Sequence, residues 1–170
     1  MKATPLFLTL FLLFTSTASH AFKLGDITKG ADAITGGSEL LSMGTELFNS
    51  FKGNDMATNA AKGLIDSFKA EDYLSGFKYY DKIKAAGLKP SQLQTWNDVK
   101  NPLSAVVLER NFNFEDNGLS ELVSKASKSL QGNDVEGATS YLGQLKDAAT
   151  LTDGQKSLLS EIVANAPLVK

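Results

Sequence analysis

The chain has 170 residues, of which 42% are hydrophobic, and its 17 basic and 19 acidic side chains give a net charge of −2. This length suffices for one domain with a hydrophobic core, and the weak charge predicts no nucleic-acid binding and no strong binding to anionic lipid. There is no cysteine and only one histidine, His20, so disulfides are excluded and neither a metal site nor a cofactor is predicted.

The first 21 residues have the pattern of a secretory signal peptide. Lys2 precedes an apolar run at 6–14, and a stretch of small residues follows. The run is much shorter than the roughly 20 residues of a membrane-spanning helix, which favours a cleaved signal over an anchor. Cleavage after Ala18 and cleavage after Ala21 both fit the pattern. We therefore expect a periplasmic or secreted protein.

Residues 22–37 are rich in glycine and are predicted to form a flexible lead into a single helical domain at 38–170. Within that domain, apolar residues recur every three or four positions, which places them on one face of an α-helix. The pattern predicts helices at 38–52, 56–69, 73–87, 90–100, 118–131, 135–149 and 153–166.

A five-residue phrase recurs where these predicted helices meet. Its copies are FKGND at 51–55, FKAED at 68–72 and LQGND at 130–134. Gly53 and Gly132 suit the left-handed backbone conformation that often ends a helix, because glycine has no Cβ. Asp55, Asp72 and Asp134 are predicted to cap the next helix by accepting hydrogen bonds from its free amides.

The short joints predict an all-α fold in which antiparallel helical hairpins pack as a bundle. A longer similarity relates residues of about 60–100 to residues of about 122–164. Asp134, for example, follows Asp72 by 62 residues, and the helical patterns on either side correspond. The sequence therefore predicts an internal duplication with two related hairpin units.

The centre of the chain, 101–117, separates the two predicted units. It is predicted to be irregular, because Pro102 disfavours a helical conformation at Asn101 and should end the preceding helix. Residues 103–110 include two adjacent valines, and their pattern is compatible with a short helix or with a strand.

Part of this centre is the candidate binding site. The stretch ERNFNFEDNG at 109–118 combines Phe112 and Phe114 with Arg110, the only arginine of the chain. Aromatic and arginine side chains are enriched in binding hot spots, so these three residues are predicted to contact a partner. The two phenylalanines also suit a structural plug between the units. The sequence leaves open whether 109–117 is a recognition loop or such a plug.

The side chains required by most catalytic mechanisms are missing from the sequence after the signal peptide. Without cysteine or a second histidine, neither a Ser-His-Asp nor a Cys-His system can form. A pair of carboxylates remains available, as in glycoside hydrolases. The candidates for such a pair are Glu39, Glu46, Glu109, Glu115, Asp116 and Glu121.

The expected function is therefore non-catalytic. We expect an exported helical interaction protein of the bacterial envelope that binds a protein or peptide partner, in the manner of an inhibitor or an immunity protein. The lack of cysteine in an exported chain favours the bacterial setting. One alternative is a carrier of a small apolar ligand or lipid within the helical bundle. Another is a secreted hydrolase that uses two carboxylates.

Overall fold

The computed structural model describes residues 35–148 and 150–165, which form an all-α bundle. Seven helices follow one another in these ranges: α1 (Thr35–Ser50), α2 (Asp55–Lys69), α3 (Tyr73–Ala85), α4 (Pro90–Asn111), α5 (Asn117–Gln131), α6 (Val135–Lys146) and α7 (Asp153–Asn165). The predicted signal peptide at 1–21 and most of the predicted lead at 22–37 lie outside the described residues. Helix α1 begins inside the range predicted as lead.

Neighbouring helices pack as hairpins, so the predicted bundle of helical hairpins is confirmed. Helix α2 packs against α3, and α5 packs against α6. Helix α4 contacts α1 on one side and α5 on the other, while α7 lies against α3, α6 and α4. Among the helices described, none combines the length and the apolar character that crossing a membrane requires.

The second and third copies of the recurring phrase form joints of the same geometry. Asp72 and Asp134 are N-caps, and each carboxylate accepts a hydrogen bond from the backbone amide three residues later, at 3.2 and 3.0 Å. The left-handed residue in these joints is the one before the cap, Glu71 with φ 60° and Asn133 with φ 54°. The predicted left-handed conformation of Gly132 is therefore wrong, since its φ is −80°.

In the first joint the cap comes one residue earlier in the phrase than in the other two. Gly53 is left-handed with φ 82°, as predicted, so the following residue, Asn54, becomes the N-cap. Its side-chain oxygen accepts a hydrogen bond from the Ala57 amide at 3.1 Å. The predicted cap at Asp55 is thus wrong, because Asp55 is already the first residue of α2.

Helix α4 differs most from the prediction. It continues through Pro102 to Asn111, so the predicted irregular centre at 101–117 is wrong for most of its length. The segment 103–110, which the sequence left open between helix and strand, is helical. Only 112–116 separates α4 from α5.

Burial explains why the proline does not end α4. A proline inside a helix removes a backbone hydrogen bond and costs roughly 3 kcal/mol. Residues 103–108 are all buried, because this segment lies between α1, α5 and α7. Each large apolar side chain buried there contributes on the order of 1.5–3 kcal/mol, so several of them outweigh the cost of Pro102.

Corresponding tertiary contacts recur in the two predicted units. The side-chain nitrogen of Gln92 in α4 donates to the carbonyl of Ser50, the last residue of α1, at 3.1 Å. The side-chain nitrogen of Gln155 in α7 donates to the carbonyl of Asn111, the last residue of α4, at 3.0 Å. Each of these two hydrogen bonds joins the first turn of one helix to the last residue of an earlier one. The internal duplication itself stays a prediction.

The core is continuous and rich in aromatic side chains. In the first predicted unit, Phe68, Phe77, Tyr80 and Trp96 form a chain of ring contacts with centroid distances of 5.6, 4.9 and 4.8 Å. All four rings are buried. The Tyr80 hydroxyl donates to the carbonyl of Lys100 at 3.0 Å, which fastens α3 to α4 next to the proline.

Candidate functional site

The three residues predicted to contact a partner have different environments. Arg110 lies in the last turn of α4 and is exposed. Phe112 is only 2% exposed, and Phe114 is partly buried against the same core. The two rings meet edge to face, with their centroids 6.3 Å apart. The aromatic side chains thus fill the seam after α4, and Arg110 is the member of the set that reaches solvent.

Arg110 belongs to a charged cluster that joins three helices. Burial raises the pKa of Glu39 in α1 above its ordinary value, and the nearby Glu109 carboxylate raises it further, while Arg110 partly opposes both effects. The hydroxyl of Ser127 in α5 donates a hydrogen bond to the Glu109 carboxylate. The structure thereby brings together two carboxylates from the sequence-derived candidates for a hydrolase.

A cleft of about 330 Å³ lies where α4 ends, and we call it the polar cleft. It is formed by the joint between α2 and α3, by the last residue of α4 and by the start of α7. Its lining residues are Glu71, Asp72, Tyr73, Leu74, Asn111, Thr152, Gly154, Gln155 and Leu158. Asn111 comes from the stretch in which the sequence predicted the binding site.

The rim of the polar cleft is negative. Asp72 is exposed, and its hydrogen bonds with Ser75 lower the pKa of its carboxyl below the ordinary value, so it is ionised at neutral pH. Glu71 is exposed beside it, and its left-handed backbone fixes the direction in which its side chain leaves the joint. No lysine or arginine is among the residues that line the cleft.

The remaining walls combine fixed amides with apolar surface. Gln155 accepts a hydrogen bond from the Thr152 amide at 3.0 Å while it donates to Asn111, so its side chain is held from both ends. Leu74 is 41% exposed, and Leu158 is buried below it in the lining. A negative rim beside exposed apolar surface suits a cationic side chain with an aliphatic stem.

A second cavity opens on the outer side of the hairpin formed by α2 and α3, and we call it the α2–α3 groove. Its volume is about 370 Å³. Its lining residues are Met56, Asn59, Ala60, Tyr79, Lys82 and Ala85. The Lys82 ammonium lies over the Tyr79 ring, 4.4 Å from its centroid.

Neither cavity has a set of side chains suited to metal binding. Across residues 35–148 and 150–165, no three acidic, histidine or cysteine side chains are grouped so that they could hold a metal ion. The two cavities offer carboxylate, amide, hydroxyl and lysine groups beside apolar surface.

The sequence contained signals for parts of the polar cleft but not for the cleft itself. Asp72 is predicted as a helix cap, and Thr152 and Gln155 hydrogen-bond each other as a capping box, so capping accounts for these residue types completely. Nothing local indicates that these caps and Asn111 meet in space. The remaining signal concerned the left-handed conformation of Glu71. The first and third copies of the phrase carry glycine and asparagine at its third and fourth positions, and Glu71 is the fourth residue of the second copy.

Comparison with known proteins finds no match to a protein-family model, to a curated protein or to a solved structure.

Proposed function

We propose that this chain is an exported, non-catalytic interaction protein of the bacterial envelope, and that it binds a protein or peptide partner at the polar cleft. The signal-like residues 1–21 support export, and the absence of cysteine supports the bacterial setting. An inhibitor or immunity-type role accords with a small, mildly acidic helical bundle.

The observation that carries the proposal is the convergence of three separate chain segments on one cleft. The joint at 71–74, the end of α4 and the start of α7 all contribute lining residues. Leu74 is a large apolar side chain that is exposed there, and burial of such a side chain by a partner is favourable. Concave surface with a few fixed polar groups is typical of binding sites.

The chemistry of the cleft favours a basic segment of the partner. Glu71 and Asp72 supply two carboxylates at the rim, and the lining contains no cation that would neutralise them. A lysine or arginine of the partner would place its charge against Glu71 and its aliphatic stem against Leu74. Complementary charge of this kind raises the association rate and selects the partner.

Of the three residues that the sequence predicts to contact a partner, Arg110 alone remains a proposed contact. Phe112 is buried and holds the segment after α4 in place, so a partner would contact its neighbours rather than its ring. Testing Arg110→Ala separately from the cleft variants shows which of the two surfaces the partner uses.

The test uses a photo-crosslinking amino acid at position 74 in the full chain, exposed to the envelope fraction of the native cell. The matched control carries the same amino acid at position 93, because Leu93 is another exposed leucine, at 47%, and lies outside the cleft. We expect a protein that crosslinks from position 74 and not from position 93.

The identified partner is then purified and titrated against variants. Glu71→Lys should weaken binding by about tenfold or more, because it puts like charges in contact, and Leu74→Ser should weaken it as well. Leu93→Ser should bind as the unmodified chain does. Equal crosslinking from both positions, or an unchanged partner affinity of the Glu71→Lys variant, would show that the polar cleft is not the partner site.

A further inference from the structure

The positions that line the α2–α3 groove have equivalents in the second predicted unit, and several of the residues differ. Helices α2 and α5 both have 15 residues, and their N-caps, Asn54 and Asp116, are 62 residues apart. In the second hairpin, larger side chains occupy three α2-equivalent positions in or beside the groove, while Gly118 stands where Met56 does. Leu122 replaces Ala60, Lys125 replaces Gly63 and Glu121 replaces Asn59.

The three replacing side chains make contacts within the second predicted unit. Lys125 and Glu121 form an ion pair at 2.7 Å, and Leu122 packs against the core. In the first hairpin a Cβ at Gly63 would overlap the Tyr79 ring, so the ring rests directly on the backbone of α2 and forms one wall. The small residues of α2 therefore leave the groove open beside the Tyr79 ring.

The open groove is apolar and carries one cation at its edge. Met56 is 61% exposed at one end, and Ala60, Tyr79 and Ala85 continue the apolar lining. Within the described part of the chain, Lys82 has no carboxylate oxygen within 4.0 Å, and its ammonium contacts only the face of the Tyr79 ring. An unpaired ammonium beside apolar surface attracts a ligand that has a carboxylate and an aliphatic portion.

We propose that the α2–α3 groove binds a free aliphatic carboxylate, with the carboxylate on Lys82 and the chain along Ala60 towards Met56. A cavity of roughly 150 Å³ holds benzene, so about 370 Å³ has room for a chain of roughly ten carbons. A docked helix would need anchor sites over several turns, whereas this groove has six lining residues around one cation. The size and the charge therefore favour a medium-chain fatty acid over a protein segment.

The test follows the methionine methyl groups of the full chain by ¹³C NMR while sodium decanoate is added below its micelle concentration. Met56 lines the groove, and Met43 is a buried internal reference in α1. We expect a saturable shift of the Met56 methyl signal and no shift of the Met43 signal. A Met56 signal that does not move, or moves linearly without saturation, would overturn the proposal.

Two variants and a second probe test the assigned roles. Lys82→Gln introduces the residue found at the equivalent position 144 and should weaken decanoate binding about threefold, the range of an exposed ion pair. Lys78→Gln removes an exposed lysine of the same helix outside the groove and should leave the affinity unchanged. Decyltrimethylammonium, which has the same chain and the opposite charge, should bind more weakly than decanoate.

Ala60→Leu copies the leucine of the second hairpin and should abolish the saturable shift by filling the groove. If this variant unfolds, Lys82→Gln and the cationic probe still decide the result. Equal affinity for the two probes, or equal effects of Lys82→Gln and Lys78→Gln, would contradict the role of Lys82 and with it the proposal. Loss of the polar-cleft partner leaves this result unaffected, because the two sites share no lining residue.

Discussion

At the end of α4 and just after it, neighbouring residues lie alternately at the surface and in the core. Arg110 is exposed, Phe112 is buried at 2% exposure, and Phe114 lies between these extremes. The aromatic rings act on stability because they seal the seam between α4 and α5. A substitution that removes all three side chains would therefore confuse loss of the fold with loss of binding.

The first prediction separates these two effects. Phe112→Ala should lower the free energy of unfolding by about 3–5 kcal/mol, because it removes a buried ring and leaves a cavity. Arg110→Ala should change it by less than about 1 kcal/mol, since Arg110 is exposed and exposed charge pairs contribute little. Denaturant unfolding of the two variants measures the difference. Similar values for both would contradict the core position of Phe112.

At the scale of the helix, capping residues and the local apolar pattern decide where each element begins and ends. The apolar periods and the caps at Asp72 and Asp134 predicted six helices close to their observed bounds. Helix α4 could not be predicted in full, because the effect of Pro102 is local whereas the burial of 103–108 depends on helices distant in sequence. The polar cleft was unpredictable for the same reason.

The second prediction concerns the shifted cap of α2. Asn54→Ala should lower the free energy of unfolding by about 1–2 kcal/mol, because Asn54 caps α2 and its side-chain nitrogen also donates to the carbonyl of Ala86 at 2.9 Å. Asp55→Ala is the matched control and should cost less than about 0.5 kcal/mol. Thermal or denaturant unfolding compares them. A larger loss of unfolding free energy for Asp55→Ala than for Asn54→Ala would show that Asp55 is the cap, as the sequence predicted.

For the whole molecule, the predicted division into two units does not create two independent parts. Helix α4 contacts both α1 and α5, and α3 packs against α7 across the predicted boundary. Unfolding one unit would expose apolar surface of the other. We therefore expect one cooperative transition, with Trp96 fluorescence and circular dichroism changing together.

The third prediction uses Tyr80 to perturb this transition by pH. Complete burial raises the pKa of the Tyr80 hydroxyl well above its ordinary value of 10.0, partly opposed by a hydrogen bond with Ser104. The folded chain thus holds this proton more tightly than the unfolded chain does. The associated stability is fully present below pH 10 and is lost as the pH rises above it.

Tyr80→Phe is the variant that checks this assignment. It should cost about 1 kcal/mol at neutral pH, because the hydroxyl no longer bonds the Lys100 carbonyl. Above pH 10 its stability should fall less steeply than that of the unmodified chain, since no buried phenol remains to ionise. Denaturant unfolding followed by Trp96 fluorescence over this alkaline range gives both slopes. Parallel slopes would show that Tyr80 does not govern the alkaline loss.

The shared helix α4 also determines what a growing chain can do before it is complete. A chain that emerges from one end, at a ribosome or at a translocation pore, presents the apolar segment 103–108 before α5 and α7 have followed. The first hairpin then also lacks α7, which α3 contacts in addition to α2. Burial of 103–108 therefore waits for α5 and α7, and we expect a chaperone to bind this segment of the unfinished chain until both helices have emerged.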